Sequence, residues 1–521
     1  MNVGDELTLS CWMAETPVIA ASPLDADITC DVVVIGSGIA GLSTAYELTR
    51  FGRDVVVIDR AGIGTGMTAR TTAHLASEID DYYHTLVGVH GEDRARHYYE
   101  SQVASINRIE AICRDEQIDA DFLRLSGFLF AAEESHRDIL EREYECCAAL
   151  GVSVAWADAP LPAGGNVSAL RFSNQARLHP TKYLRGLAHG IARRDGRFFR
   201  DTPYVSHTEK DGRVEITTEV GPKIRATFAV FATNSPVNEL AGVNARQQPF
   251  RTYVVAGPVP KGTVIDALLW DTEEPYHYVR LQPLSETEDL LIVGGEDHRT
   301  GEEDDMEERL MRLERWTRQR FPAFNTVTFR WSGQVMEPND FLPFSGRAAS
   351  GSNVFVHSGD SGQGITNGVA GSLTLLPLIL GEDSRFASLF EPNRSQLKSL
   401  TSAREFAQTQ AGAVKNYAEY LSGGEISSVD ELSPGEGAIL REGLEKYAVY
   451  RHPDGAVSKH SAACTHMGCI VHWNPLELCW DCPCHGSQFA PDGEVLNGPA
   501  TQPLADADSE APAEAEAHVA P

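Results

Sequence analysis

Near its carboxyl end the chain concentrates side chains that bind soft metals. Residues 464–486, CTHMGCIVHWNPLELCWDCPCHG, hold five of its ten cysteines and three histidines. Cys464-Thr465-His466 is followed, after fifteen residues, by Cys482-Pro483-Cys484-His485, so each of two short segments offers one thiol and one imidazole. Four such ligands can hold zinc, but zinc ribbons and fingers usually pair Cys with Cys and His with His. One of each per segment suits a [2Fe–2S] cluster, with Cys464 and Cys482 on one iron and His466 and His485 on the other. Neutral imidazoles replacing two thiolates leave the reduced cluster less negative, which raises its potential into the range of roughly −150 to +300 mV. A zinc site and a coincidental cysteine cluster are the alternatives.

A second stretch able to do chemistry opens the chain. In CDVVVIGSGIAGLSTAYELTRFGRDVVVIDR, residues 30–60, a short apolar run leads into Gly36, Gly38 and Gly41, and then into apolar positions at helical spacing. The glycines allow a tight turn, close approach to a pyrophosphate and close helix packing, while Ile39 and Ala40 begin a helix whose N–H groups face the anion. Asp59 ends the next apolar strand, 18 residues after Gly41 and beside Arg60, where a carboxylate can accept from a ribose. No second such fingerprint occurs, which favours FAD reduced by a small organic substrate over a flavin fed by NAD(P)H.

These segments need a large scaffold. At 521 residues two or three domains are expected. A 42% hydrophobic content is that of a soluble globular protein, no apolar run is long enough to span a membrane, and the scattered Cys11, Cys30, Cys113, Cys146 and Cys147 suit a reducing compartment. A cytoplasmic location is therefore expected. The net charge of −30 argues against nucleic acid or an anionic membrane as partner and suits a basic protein partner. Residues 397–421 read as a helix ended by Gly423 and Gly424, and the acidic, Ala-rich end cannot bury a core.

The order VVVIGSGIAGLSTAYEL, AGIGTGMTARTTAHLA, QARLHPTKYLRGLA, ATFAVFATNSP and NVFVHSGDSGQGITNGVAGSLTLLPLILG resembles the FAD-dependent amine and amino-acid oxidases of the D-amino acid oxidase and glycine oxidase type, over roughly residues 28–392. That resemblance implies a mixed α/β architecture: a Rossmann-like FAD domain interrupted by a substrate domain built on an antiparallel sheet. Thr71 and Thr72 should lie near pyrophosphate and flavin, Val205 near adenine, Ala232, Thr233 and Asn234 near the pyrophosphate, and Gly362, Gly364, Ile365 and Thr366 against the flavin ring. Relatives that tether FAD covalently do so through a His or a Cys; Thr71 and the lack of any cysteine between 148 and 463 imply non-covalent FAD. Candidates for holding a substrate carboxylate are Arg251, Tyr253, Tyr276, Tyr278 and Arg280.

CTHMGC with CPCHGS resembles the Rieske domains of cytochrome bc-type complexes. There Cys469 and Cys484 would form a disulfide bracing the cluster loops and Ser487 would donate to the cluster, while Phe489 stands where those domains carry a tyrosine. The expected layout is an N-terminal extension (1–28), an FAD domain (29–95, 165–235, 325–395), a substrate domain (96–164, 236–324), a helical linker (396–424), a small all-β Rieske domain (425–505) and a disordered tail (506–521). The chain as a whole resembles a group of bacterial fusion proteins and is expected to oxidise an amine or amino acid, passing electrons from FAD to the cluster and on to a protein, quinone or oxygen. Three rivals are an NAD(P)H-fed reductase, a non-enzymatic redox module, and a Rieske oxygenase with iron at Asp81, His84 and His90.

Overall fold

The computed structural model describes residues 8–163, 167–237, 242–396, 416 and 419–507. Its first layer is a sheet of eight strands. Ile28–Ile35 runs parallel to Val55–Ile58 on one side and to Lys223–Phe231 on the other, and the sheet continues in parallel to Val354–Ser358 and Arg197–Phe199. The apolar runs Val32–Ile35 and Val55–Ile58 are at most 4% exposed, as strands covered on both faces must be. Helix Ile39–Arg50 covers one face and packs against helix Gly364–Leu380. Gly36 sits at φ +100°, and a Cβ there would meet the Ala232 carbonyl at 2.3 Å, so only glycine makes this turn.

The second layer has nine strands, almost all antiparallel, in the order Phe329–Pro338, Gln247–Pro260, Glu288–Arg299, His277–Pro283, Leu268–Asp271, Leu123–Phe130, Ser168–Arg177 and His74–Leu75, with Val154–Asp158 on Ser168–Arg177. The fold is thus the expected α/β core with an antiparallel companion. Two boundaries shift. Ser168–Arg177 and Phe329–Pro338 fall within the expected FAD-domain ranges, but their ladders join them to the antiparallel sheet. Among the described residues one stretch, Ser361–Leu380, is long and apolar enough to cross a membrane, and it is mostly buried in the core.

The all-β unit at the carboxyl end is built from two small sheets. One holds Gly437–Glu442, Glu445–Arg451 and Val457–Ser461; the other holds His472–Asn474, Cys479–Asp481, Gln488–Phe489 and Val495–Asn497. Most of the expected helical linker, and residues 508–521 of the expected tail, lie outside the described residues. Asp506 itself bridges to His460 and belongs to the β unit.

Candidate functional site

A long cleft opens where the carboxyl ends of the parallel strands meet the antiparallel sheet. Of the expected cofactor residues, Gly36, Gly38, Ile39, Ala40, Asp59, Arg60, Thr71, Thr72, Ala232, Thr233, Gly362, Gly364 and Ile365 line it. Gly41, Val205 and Thr366 do not. Gly41 lets the first helix press on its own turn, since a Cβ there would meet the Gly36 carbonyl at 1.9 Å. Val205 falls at the irregularity between Tyr204 and Ser206, and Tyr204 lines the cleft in its place. Thr366 donates to the Gln363 carbonyl inside its helix.

The cleft fits FAD. Asp59 is held in place by the Ser37 N–H and hydroxyl and by the Ala61 N–H, at 2.5–3.1 Å. A Cβ at Gly66 or Gly364 would meet nothing within 4 Å, so the lining leaves room there. The Asn234 side-chain amide is a buried donor without a partner at the cleft wall.

The antiparallel sheet supplies the other wall. Tyr276 donates to Asp80 at 3.2 Å, Tyr278 shares a 2.7 Å hydrogen bond with Thr252, and their ring centroids lie 5.7 Å apart. Burial pushes Asp80 up to about 6, Asp297 up to about 7 and Glu78 well above the usual carboxylate range. A Cβ at Gly362 would meet Asp80 at 2.0 Å, which puts this carboxyl directly on the glycine-rich loop expected to face the flavin.

Three of the five substrate candidates are elsewhere. Arg280 donates to the carbonyls of Thr72, Ala73 and Leu178 and so fixes the 71–73 loop from behind. Tyr253 shares a hydrogen bond with His298 at 2.8 Å in the sheet's interior. Arg251 points at the carboxyl-terminal unit. The strand alternation that brings Tyr276 and Tyr278 to one face holds Arg280 within the fold, two residues further on. His84 and His90 are separately engaged, His84 by Glu143 at 2.8 Å and His90 by the Asp340 carbonyl at 2.7 Å. Sequence reasoning did not find Glu78, Asp80, Asp297 or Gln334, whose surroundings are made by long-range packing.

In the β unit the two cysteine–histidine segments form matching loops. Cys464 accepts from Gly468 N–H and Cys482 from Gly486 N–H, each closing a turn whose glycine stands at φ +78°. The His466 and His485 rings meet edge to face with centroids 4.9 Å apart. The Cys464 thiol is drawn down to about 6, chiefly by a hydrogen bond from Cys482, which is itself pushed up. Two buried free thiols beside two neighbouring imidazoles are a donor set that fits a two-iron cluster. Cys469 and Cys484 are disulfide-bonded, tying one loop to the other. The Ser487 hydroxyl stands by Cys464 and accepts from Ala500 N–H at 3.0 Å. Phe489 is fully buried in the same core. Phe489→Tyr is expected to raise the cluster potential by roughly 40 mV, the equivalent of about 1 kcal/mol for one added hydrogen bond in a one-electron couple. Redox titration followed by EPR measures it, and an unchanged or lower potential would contradict the role given to this position.

The β unit is pressed onto the cleft-bearing part through a buried polar seam. Arg251 donates to both oxygens of Asp481 at 3.0 and 3.1 Å and to Ser332 at 2.6 Å; Asn474 and Gln488 also donate to Asp481. Arg70 donates to Glu477 at 3.2 Å and to the carbonyls of Ser332 and Thr8. The two arginine and two carboxylate side chains are at most 2% exposed. The amino-terminal segment is part of this seam: Thr8 bonds Glu477 through both N–H and hydroxyl, Ser10 donates to the Ala69 carbonyl, and Trp12 donates to the Thr71 carbonyl.

The second cysteine–histidine loop lies directly behind the cleft. Gln334 lines the cleft and its side-chain amide donates to the Gly486 carbonyl at 2.9 Å. Ser235, next to the cleft residue Asn234, approaches the His485 carbonyl at 3.5 Å. A Cβ at Gly486 would meet Gln334 and Pro249 at 2.7 Å. Asn497 and Gly498 of the β unit themselves line the cleft, and Arg60 donates to the Val495 carbonyl at 2.9 Å.

Comparison with known proteins agrees with both halves. The FAD dependent oxidoreductase family matches residues 31–375, and the Rieske [2Fe-2S] domain matches 424–508. A putative Rieske 2Fe-2S iron-sulfur protein of Bacillus subtilis (strain 168) is 30% identical over 500 residues, covering 95% of this chain and 96% of the relative. The gamma-glutamylputrescine oxidoreductase of Escherichia coli (strain K12) is 25% identical over 377 residues, covering 70% of this chain and 86% of that protein. Among solved structures, the glycine oxidase of Geobacillus kaustophilus superposes with a TM-score of 0.60 at 16% identity, covering 70% of this chain and 99% of that one, a likeness of fold.

Proposed function

Since the chain belongs to the FAD dependent oxidoreductase family and ends in a Rieske [2Fe-2S] domain, we propose that it oxidises the C–N bond of an amine or amino acid and delivers the electrons through the cluster to an external acceptor. The observation that carries this reading is Gln334, a single side chain that lines the cleft and bonds the loop holding Cys482 and His485. When bound, FAD supplies a two-electron acceptor and the cluster a one-electron relay.

The residues of the chain do the rest. Gly36 and Gly38 bring backbone against the pyrophosphate, at the start of the Ile39–Arg50 helix. Thr71 and the lack of a cysteine among the cleft residues support non-covalent binding, so acid precipitation should leave the yellow colour in the supernatant. Carbon loses a hydride and nitrogen a proton, giving an imine that water hydrolyses. Asp80, raised to about 6 by burial and placed against Gly362, is the group positioned to take the nitrogen's proton. Cys464, His466, Cys482 and His485 hold the cluster, with the Cys469–Cys484 disulfide bracing their loops.

The test is an anaerobic screen of amines and amino acids against the purified holoprotein, with flavin bleaching and the reduced cluster's EPR signal followed together. Both signals should respond to the same compound. Flavin that is fully reduced beside a cluster that stays oxidised would overturn the relay.

A further inference from the structure

Resting on that reading, we propose that the substrate is a cationic amine, a molecule carrying a second positive group and no carboxylate beside the reacting carbon, held by Glu78, Asp80 and Asp297. The three carboxyls line one cleft. Glu78 is only 2% exposed. Buried acceptors around them have no partner within the protein: Asp297 keeps Oδ1 unbonded, and Gln334, 1% exposed, keeps Oε1 unbonded. Buried acceptors left open in a cleft call for a donor from outside.

The cations that would recognise an amino-acid carboxylate are engaged elsewhere. Arg60 and Arg70 are the arginines of the cleft lining. Arg60 donates to the Val495 carbonyl, and Arg70 is held in the seam by Thr8, Ser332 and Glu477. Burial, followed by repulsion from Arg280, presses His74 down to about 3, so it stays neutral. Trp270, Tyr276 and Tyr278 add aromatic faces to the same wall, which attract ammonium groups, and the Tyr276 and Tyr278 hydroxyls are already engaged by Asp80 and Thr252. Burial raises all three carboxyls, and an ammonium placed among them would supply the counter-charge that stabilises their ionised forms.

The experiment compares 1,4-diaminobutane, n-butylamine, glycine and L-proline as anaerobic reductants of the FAD-loaded full chain. Diaminobutane should half-saturate flavin reduction at a concentration at least tenfold lower than butylamine, and the two amino acids should be inert. Asp297→Asn and Glu78→Gln should raise the half-saturating concentration of diaminobutane by a larger factor than that of butylamine and so erase that advantage. As a readout independent of turnover, 2,5-diamino-2,5-dimethylhexane, which keeps both ammonium groups but has no hydrogen on its nitrogen-bearing carbons to lose, should raise the melting temperature of the native holoprotein and not that of Asp297→Asn. Flavin reduced by glycine or proline but not by diaminobutane, or variants that bind the dications as the native protein does, would overturn the inference while leaving C–N oxidation standing. If none of the four compounds reduces the flavin the inference falls, while C–N oxidation itself is decided by the wider screen of the previous subsection.

Discussion

Arg251→Met should destabilise the protein by about 3–5 kcal/mol, the usual cost of removing one partner from a buried ion pair. The substitution leaves the Asp481 carboxyl, 2% exposed, without its cation and supported by the amides of Asn474 and Gln488 and the Cys479 thiol. Ser332, which accepts from Arg251 and donates to Glu477, would lose the hydrogen bond that orients it. Denaturation followed by the cluster's visible absorption, rather than by total fluorescence, would isolate the loss in the β unit, because a protein of several units need not unfold in one step. Adding Asp481→Leu should restore only part of the stability, since two amides would then face an apolar side chain. The same variant should slow cluster reduction after flavin reduction. A loss below about 1 kcal/mol, of the size of an exposed pair, would mean that the seam does not hold the two parts together.

His485→Ala is expected to have the larger effect on turnover. Removing even the outer partners of a metal ligand weakens binding about 10–100-fold, so losing the ligand itself should empty or degrade the cluster. Reduction of flavin by substrate should proceed at the native rate, because His485 is absent from the cleft lining. Reduction of an external one-electron acceptor should fall by more than about a hundredfold. Iron and sulfide analysis, stopped-flow bleaching and acceptor assays on one preparation separate these effects. Acceptor reduction that persists in the cluster-free protein would show that electrons leave directly from the flavin.

The features legible in the sequence are those fixed by local backbone. A glycine at Gly36 or Gly468 announces a turn, and the spacing from Cys464 to His466 or from Cys482 to His485 is set inside one loop. The strand–turn–helix of residues 28–50 and the two cysteine–histidine loops could therefore be read directly. What could not be read depends on partners hundreds of positions away. Arg251 looks like a strand arginine awaiting a substrate until its partner at a separation of 230 residues is known. Glu78 and Asp297 look like surface acids in the sequence, and only the closing of the antiparallel sheet over the cleft buries them. The strand boundaries at 168–177 and 329–338 were likewise invisible, because alternation within a strand does not say which sheet it will join.

The first described residues, Thr8 to Trp12, run between the cluster-bearing unit and the 69–71 loop, bonding both. This gives the amino terminus a practical weight that its position in the chain would not suggest. A purification handle fused ahead of Thr8 pulls on a segment that bonds both Glu477 and the 69–71 loop, so material tagged at that end should be checked for iron content before any catalytic figure from it is believed.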